Sequence, residues 1–153
     1  MQSEESKLKV LGYLGRALSL ELSAVQSYTT QSRLMANWGF DKAAEQFRHE
    51  ALEEMQHAER IIARMLAKGA APGASQLRPV MLGKDLAALI EINQRFEEEL
   101  VVFYQEAVDY CSSSGQADDR LFFQQLLDEE QEHAVSLKNW RMSLLNQAAL
   151  RRQ

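Results

Sequence analysis

Glu54 and His57 stand on the apolar stripe of a helical segment, and the same Glu-x-x-His pair returns 76 positions later as Glu130 and His133. The same offset of 76 carries Glu21 to Glu97 and Tyr28 to Tyr104. Glu21 to Glu54 and Glu97 to Glu130 are each 33 positions. A chain that repeats itself this way is two copies of one motif, each joining a glutamate on one segment to Glu-x-x-His on the next. Equal offsets place those groups at matching levels, which is a condition for their meeting in space.

Glycine and proline show where the segments end. "NWGF" (37–40) is short enough for a tight turn between helices. "GAAPGASQLRPVMLG" (69–83) holds both prolines and is the one long connection. "SSSGQADD" (112–119) supplies a third break, with serines and aspartates suited to capping a helix. The stretches between, about 4–36, 40–68, 84–111 and 118–147, are apolar at helical spacing. Four long helices with short, long and short connections predict an all-α protein, a four-helix bundle with a long crossover between helices 2 and 3. One domain over residues 1–153 is the expectation for this length. Candidate core residues include Leu11, Leu14, Leu18, Leu22, Val25 and Tyr28 on the first helix, and Phe47, Ala51, Ala58, Ile61 and Met65 on the second. Leu86, Leu89, Ile90, Leu100, Tyr104 and Val108 follow on the third, and Phe123, Leu126, Leu137, Trp140 and Leu144 on the fourth.

Composition narrows the function. A net charge of −5 without a long basic tail argues against nucleic acid as a partner. The acidic start "MQSEESK" lacks the apolar stretch of a signal peptide, and no apolar run approaches the roughly 18 residues a membrane span needs. The single cysteine, Cys111, rules out an internal disulfide and a Cys-x-x-Cys metal site. These features fit a cytoplasmic, non-membrane protein.

Every helix places at least one carboxylate on its core face: Glu21, Glu54, Glu97 and Glu130. Four carboxylates brought together without cations would repel, and most would have to protonate. Two divalent ions cancel the four negative charges, while neutral imidazoles add nitrogen lone pairs. At i, i+3 a glutamate and a histidine reach one ion from the same side of a helix. Carboxylates with imidazole and no thiolate suit iron or manganese. A glutamate from each of two helices with Glu-x-x-His from the other two is the known ligand pattern of ferritin-like di-iron carboxylate proteins. Tyr28, seven residues after Glu21, faces the same way. It is either a packed tyrosine with a satisfied hydroxyl or a redox or proton-donating group.

In "LELSAVQSY" (20–28), "RLMANWGF" (33–40), "HEALEEMQHAER" (49–60), "FEEELVVFYQEAVDY" (96–110) and "DEEQEH" (128–133), the chain resembles the bacterioferritins over nearly all its length. That resemblance implies a ferritin-like fold and iron storage. Fe(II) is oxidised to Fe(III) at an intrasubunit di-iron centre using O2 or H2O2, and ferric mineral collects in a protein shell of 24 subunits. Carried onto this chain, Glu21, Glu54 and His57 would hold one iron and Glu97, Glu130 and His133 the other, with Glu54 and Glu130 bridging. These six residues are the catalytic and the metal-binding set. The resemblance also implies haem b at a two-fold subunit interface, bound by Met55 from each of two chains. Met55 lies about 100° round the helix from Glu54, on a stripe with Leu52, Ile62 and Leu66. His49 and Glu53 match positions lining the inner cavity, so they are either an accessory iron site or a solvated polar face. The expected partners are iron, O2 or H2O2, and further copies of this chain in two-fold dimers. A second subunit type or a reductase for iron release stays open. Bacterioferritins continue past the fourth helix through a glycine break into a short fifth helix. Here no glycine follows Gly115, so that region is expected to be shortened and closure of the shell stays open. The alternative reading is a di-iron protein that consumes peroxide or oxygen without a mineral-storing cage.

Overall fold

In a computed structural model that describes residues 3–151, four helices carry the chain: α1 (Glu4–Asn37), α2 (Asp41–Ala67), α3 (Leu86–Ser113) and α4 (Ala117–Arg151). No strand occurs among the described residues. The boundaries follow the breaks read from the sequence, except that α4 runs a turn past the expected end at residue 147. Ser3 caps α1 by accepting a hydrogen bond from the Ser6 backbone N–H at 3.0 Å, and Asp85 caps α3 through Ala88 N–H at 2.8 Å. Each oxygen satisfies a donor that the first turn of a helix leaves without a partner.

The chain divides into two compact units, the first ending at Met81 and the second beginning at Leu82. Each is a helical hairpin. α1 closes onto α2 through Gly39, whose φ of 85° lets the Phe40 N–H reach the Met35 carbonyl at 2.9 Å. α3 closes onto α4 through Gly115 at φ 71°, with Gln116 N–H on the Cys111 carbonyl at 2.9 Å. Both turns end a helix with a left-handed residue, where a Cβ would be strained. Gly39 and Gly115 are again 76 positions apart, so the repeat extends to the backbone of the turns.

The same offset governs packing. In the first hairpin Tyr28 lies against Phe47, with ring centroids 6.2 Å apart, and in the second Tyr104 lies against Phe123 at 6.4 Å. All four rings are buried. Each aromatic pair fixes the antiparallel register of its hairpin, so Glu21 falls level with Glu54 and Glu97 level with Glu130. Of the expected core, Leu11, Leu22, Val25, Leu86, Trp140 and Leu144 are only half-buried. On α1 the innermost stripe is Val10, Leu14, Ala17, Leu18, Glu21, Ala24 and Tyr28, and it leaves Leu11, Leu22 and Val25 on the flanks. α4 has 35 residues against 28 in α3, so its last turns outrun the helix they pack on. Leu144 lies in that overhang.

The segment after α2 is held onto α1 by two serines one turn apart. Gln76 N–H donates to Ser19 Oγ at 3.2 Å, and Arg78 N–H donates to Ser23 Oγ at 2.9 Å. Ser23 Oγ in turn donates to the Ser19 carbonyl at 2.7 Å. Ser23→Ala removes the acceptor for Arg78 N–H. Amide hydrogen exchange at Arg78 is expected to accelerate, with a loss of about 0.5–1.5 kcal/mol in denaturant unfolding.

Candidate metal centre

α1 and α2 bring Glu21, Glu54 and His57 together. His57 Nδ1 lies 3.4 Å from Glu21 Oε1 and 3.9 Å from Glu54 Oε1. One ligand atom from each of the three residues falls within 4.8 Å of the others. Both carboxylates are fully buried and the imidazole is 3% exposed. The second hairpin repeats the arrangement. His133 Nδ1 stands 3.3 Å from Glu130 Oε2, and Glu97, Glu130 and His133 also offer ligand atoms within 4.8 Å of one another. Glu97 and Glu130 are fully buried. His133 is slightly more open than its counterpart, at 11% exposure.

These distances suit a shared cation. Two ligands at right angles, each about 2.1 Å from one ion, stand roughly 3 Å apart. The burial suits it as well, since a carboxylate out of water is costly unless a positive charge compensates it. Glu54 Oε2, Glu97 Oε2 and Glu130 Oε2 are sealed from solvent and receive no hydrogen bond, although each residue has other interactions. The donor set is oxygen and imidazole nitrogen without sulfur, which fits iron. Each hairpin therefore brings together three of the six residues read from the sequence as candidate ligands.

The other sequence candidates fall elsewhere on α2. Met55 is 36% exposed, on a strip with Leu52 at 53% and Leu66 at 59%, and Ile62 is half-buried between them. That strip lies outside the core of its hairpin. His49 and Glu53 form a pair, with His49 Nε2 2.8 Å from Glu53 Oε1; His49 is exposed and Glu53 half-buried.

Sequence reasoning missed Glu50, one turn before Glu54 and only 8% exposed. Nor was any role read for Asn93, one turn before Glu97 on the inward stripe and 4% exposed. Helical phase could have marked both as site residues, since each shares the inward stripe of Glu54 or Glu97. The repeat could not, because the positions 76 away are Leu126 and Ala17.

Among known proteins, the model of the ferritin-like domain matches residues 11–144, a single match that runs through both hairpins. The bacterioferritin of Rhodobacter capsulatus is 35% identical over 130 residues, covering 85% of this chain and 81% of that one. The bacterioferritin of Brucella melitensis biotype 1 is 31% identical over 125 residues, covering 82% of this chain and 78% of that one. A bacterial ferritin of Neisseria meningitidis is 32% identical over 126 residues, covering 82% and 81%. A solved structure of Rhodobacter capsulatus bacterioferritin superposes with a TM-score of 0.87 at 33% identity, covering 96% of this chain and 89% of that one. That structure is described as having a metal-free dinuclear site and haem iron in a crystallographic special position. The all-α fold is thus the ferritin-like four-helix bundle, with the long crossover between α2 and α3. With that fold, that extent of identity and a buried Glu and Glu-x-x-His set on each hairpin, the chain belongs to the bacterioferritin family.

Proposed function

We propose that this protein stores iron and acts as a ferroxidase, oxidising Fe(II) with O2 or H2O2 at a di-iron centre within each chain. One observation carries the reading: both hairpins bury the same glutamate plus Glu-x-x-His set, with ligand atoms within 4.8 Å of one another. Ferrous ions are the substrate. Glu21, Glu54 and His57 take one, and Glu97, Glu130 and His133 take the other. Glu54 and Glu130, the members of the Glu-x-x-His pairs, lend their second oxygens as bridges. Four carboxylates and two divalent ions sum to zero charge, so the loaded centre carries no uncompensated charge into the interior. The two hairpins form one domain in this reading, which the single family match across both supports.

In the reaction each ferrous ion gives up one electron, and O2 or peroxide receives the pair. The protein fixes ligand identity, metal spacing and exclusion of water. Buried carboxylates hold the ferric product more strongly than the ferrous substrate, because the added positive charge meets fixed negative groups in a poorly screening site. The ferric ions then pass to mineral inside a shell of identical subunits, which the family assignment supports.

Haem b at a two-fold contact between subunits belongs to the same proposal. The observation that fits it is the half-exposed Met55 thioether on an apolar strip of α2, accessible to a second chain. An isologous contact presents the same residue twice, so Met55 from each of two chains would hold one haem. Bound haem supplies a one-electron redox group at the subunit boundary. No helix among the described residues is long and apolar enough to cross a membrane.

The test is to add ferrous iron in air and follow ferric absorbance together with particle mass. Hundreds of irons retained per large shell are expected. Stoichiometric oxidation on a small oligomer would overturn storage and leave a di-iron oxidase.

A further inference from the structure

One cavity of the first hairpin belongs neither to the candidate iron ligands nor to the Met55 strip. It lies between α1, the end of α2 and the start of the crossover, and its volume is about 290 Å³. Gly12 and Gly15 form part of its α1 side. Both sit inside the helix without a positive φ, and a Cβ on either would meet nothing within 4 Å. Neither a turn nor a close approach within the chain therefore requires glycine at these positions. Glycine weakens a helix interior relative to alanine, so α1 gives up stability where the cavity is kept open.

The walls have a definite chemistry. Leu18, Met65 and Pro72 make them apolar, and no carboxylate is among the described residues that line them. Arg16 is the one charged residue in that lining, although the whole chain carries a net charge of −5. Its guanidinium carbon lies 4.9 Å from the centroid of the buried Tyr13 ring, a contact that holds the planar fork in place. Ser19 Oγ accepts the Gln76 N–H at 3.2 Å and keeps its own proton to donate. Ser75 adds a second hydroxyl from the crossover. A cation with two hydroxyls suits an anion, and the apolar walls suit a ligand that also has a hydrocarbon part.

We propose that this cavity binds a small monocarboxylate with an apolar body. Its carboxylate takes paired N–H bonds from Arg16 and an O–H bond from Ser19, while its hydrocarbon part lies on Leu18 and Met65. A planar carboxylate matches the guanidinium fork, which gives orientation as well as attraction. Inorganic phosphate can pair with Arg16 but leaves the apolar walls uncovered. A neutral alcohol of the same shape covers the walls but makes no ion pair with Arg16. The crossover supplies one wall and is already clamped to Ser19, so the bound acid ties it more firmly to α1.

The experiment titrates the full-length protein, free of iron so that no metal meets the carboxylate, with 4-bromobenzoate by calorimetry. Bromine is then located by anomalous scattering in soaked crystals. Saturable binding is expected, with bromine between α1 and the crossover. Arg16→Gln should weaken binding about 10-fold or more, because hydrogen bonds to a charged group are lost. Arg16→Lys keeps the charge without the fork and should fall between. Gly15→Leu fills the open space and should abolish binding while raising Tm, with circular dichroism confirming the fold of each variant. Arg33→Gln, exposed on α1 and outside the cavity lining, should match wild type. 4-Bromobenzyl alcohol and inorganic phosphate should each bind about 10-fold more weakly or worse. Undiminished affinity in Arg16→Gln or Gly15→Leu would overturn the proposal, as would equal affinity for the alcohol or for phosphate. So would bromine found only elsewhere, a side chain of a neighbouring subunit filling the cavity, or binding at crystal concentration only.

Discussion

Glu54→Leu is expected to raise the Tm of the iron-free protein while lowering ferrous iron oxidation by more than about 100-fold. The two effects have one cause. Glu54 is fully buried within a few ångströms of Glu21 and His57, so without a cation it adds a costly charge to a crowded, poorly solvated site. Replacing buried ionic groups by apolar residues of similar size is often neutral or stabilising by about 1–4 kcal/mol. At this chain length each 1 kcal/mol shifts Tm by roughly 2–4 °C, so a rise of several degrees is the expected reading. The loss of activity follows from ligand count. Groups that merely orient ligands change metal affinity about 10–100-fold, so removing a residue proposed to bridge both ions should exceed that. Thermal unfolding without metal, with ferric absorbance measured on the same preparation, checks both halves. A lower Tm in the metal-free variant would show that Glu54 contributes to the apo fold rather than straining it.

Met55→Ala is expected to abolish haem binding and leave iron oxidation in place. Protein reconstituted with haem should show the low-spin spectrum of an iron held by two thioethers, and the variant should show none. The separation of effects comes from helix geometry. Met55 is one residue from Glu54, but one residue is about 100° of rotation, which carries its sulfur out of the ligand stripe. Its exposure and that of Leu52 and Leu66 place it on a surface strip. A variant that kept the bis-thioether spectrum would overturn the proposed role of Met55 in holding haem. One that lost iron oxidation as well would show that the two faces are not independent.

These predictions depend on features legible in the sequence to different degrees. The helix limits could be read because glycine and proline mark them, and the turn at Gly39 uses the backbone freedom its residue type supplies. The six candidate ligands stood out because each breaks an apolar stripe and recurs at a fixed offset. The face of Met55 followed from phase alone, whereas the haem-binding role proposed for it came only through family resemblance. Glu50 and Asn93 escaped because the repeat has apolar residues at the equivalent positions, and a single polar residue on a core stripe is a weaker signal than a duplicated one. The clamp of the crossover onto Ser19 and Ser23 was not legible at all. Its partners are the backbone N–H groups of Gln76 and Arg78, which every non-proline residue possesses. The half-burial of Trp140 and Leu144 was hidden for a related reason, since it depends on where α3 begins opposite α4 rather than on local pattern.

The central claim is that two ferrous ions bind one chain, each on one hairpin's Glu and Glu-x-x-His set. Crystals soaked anaerobically in ferrous iron and measured at the iron absorption edge test it most directly. The predicted result is two anomalous peaks per chain, one on Glu21, Glu54 and His57 and one on Glu97, Glu130 and His133. A single peak shared by all six residues, or iron bound only at His49 and Glu53, would contradict it.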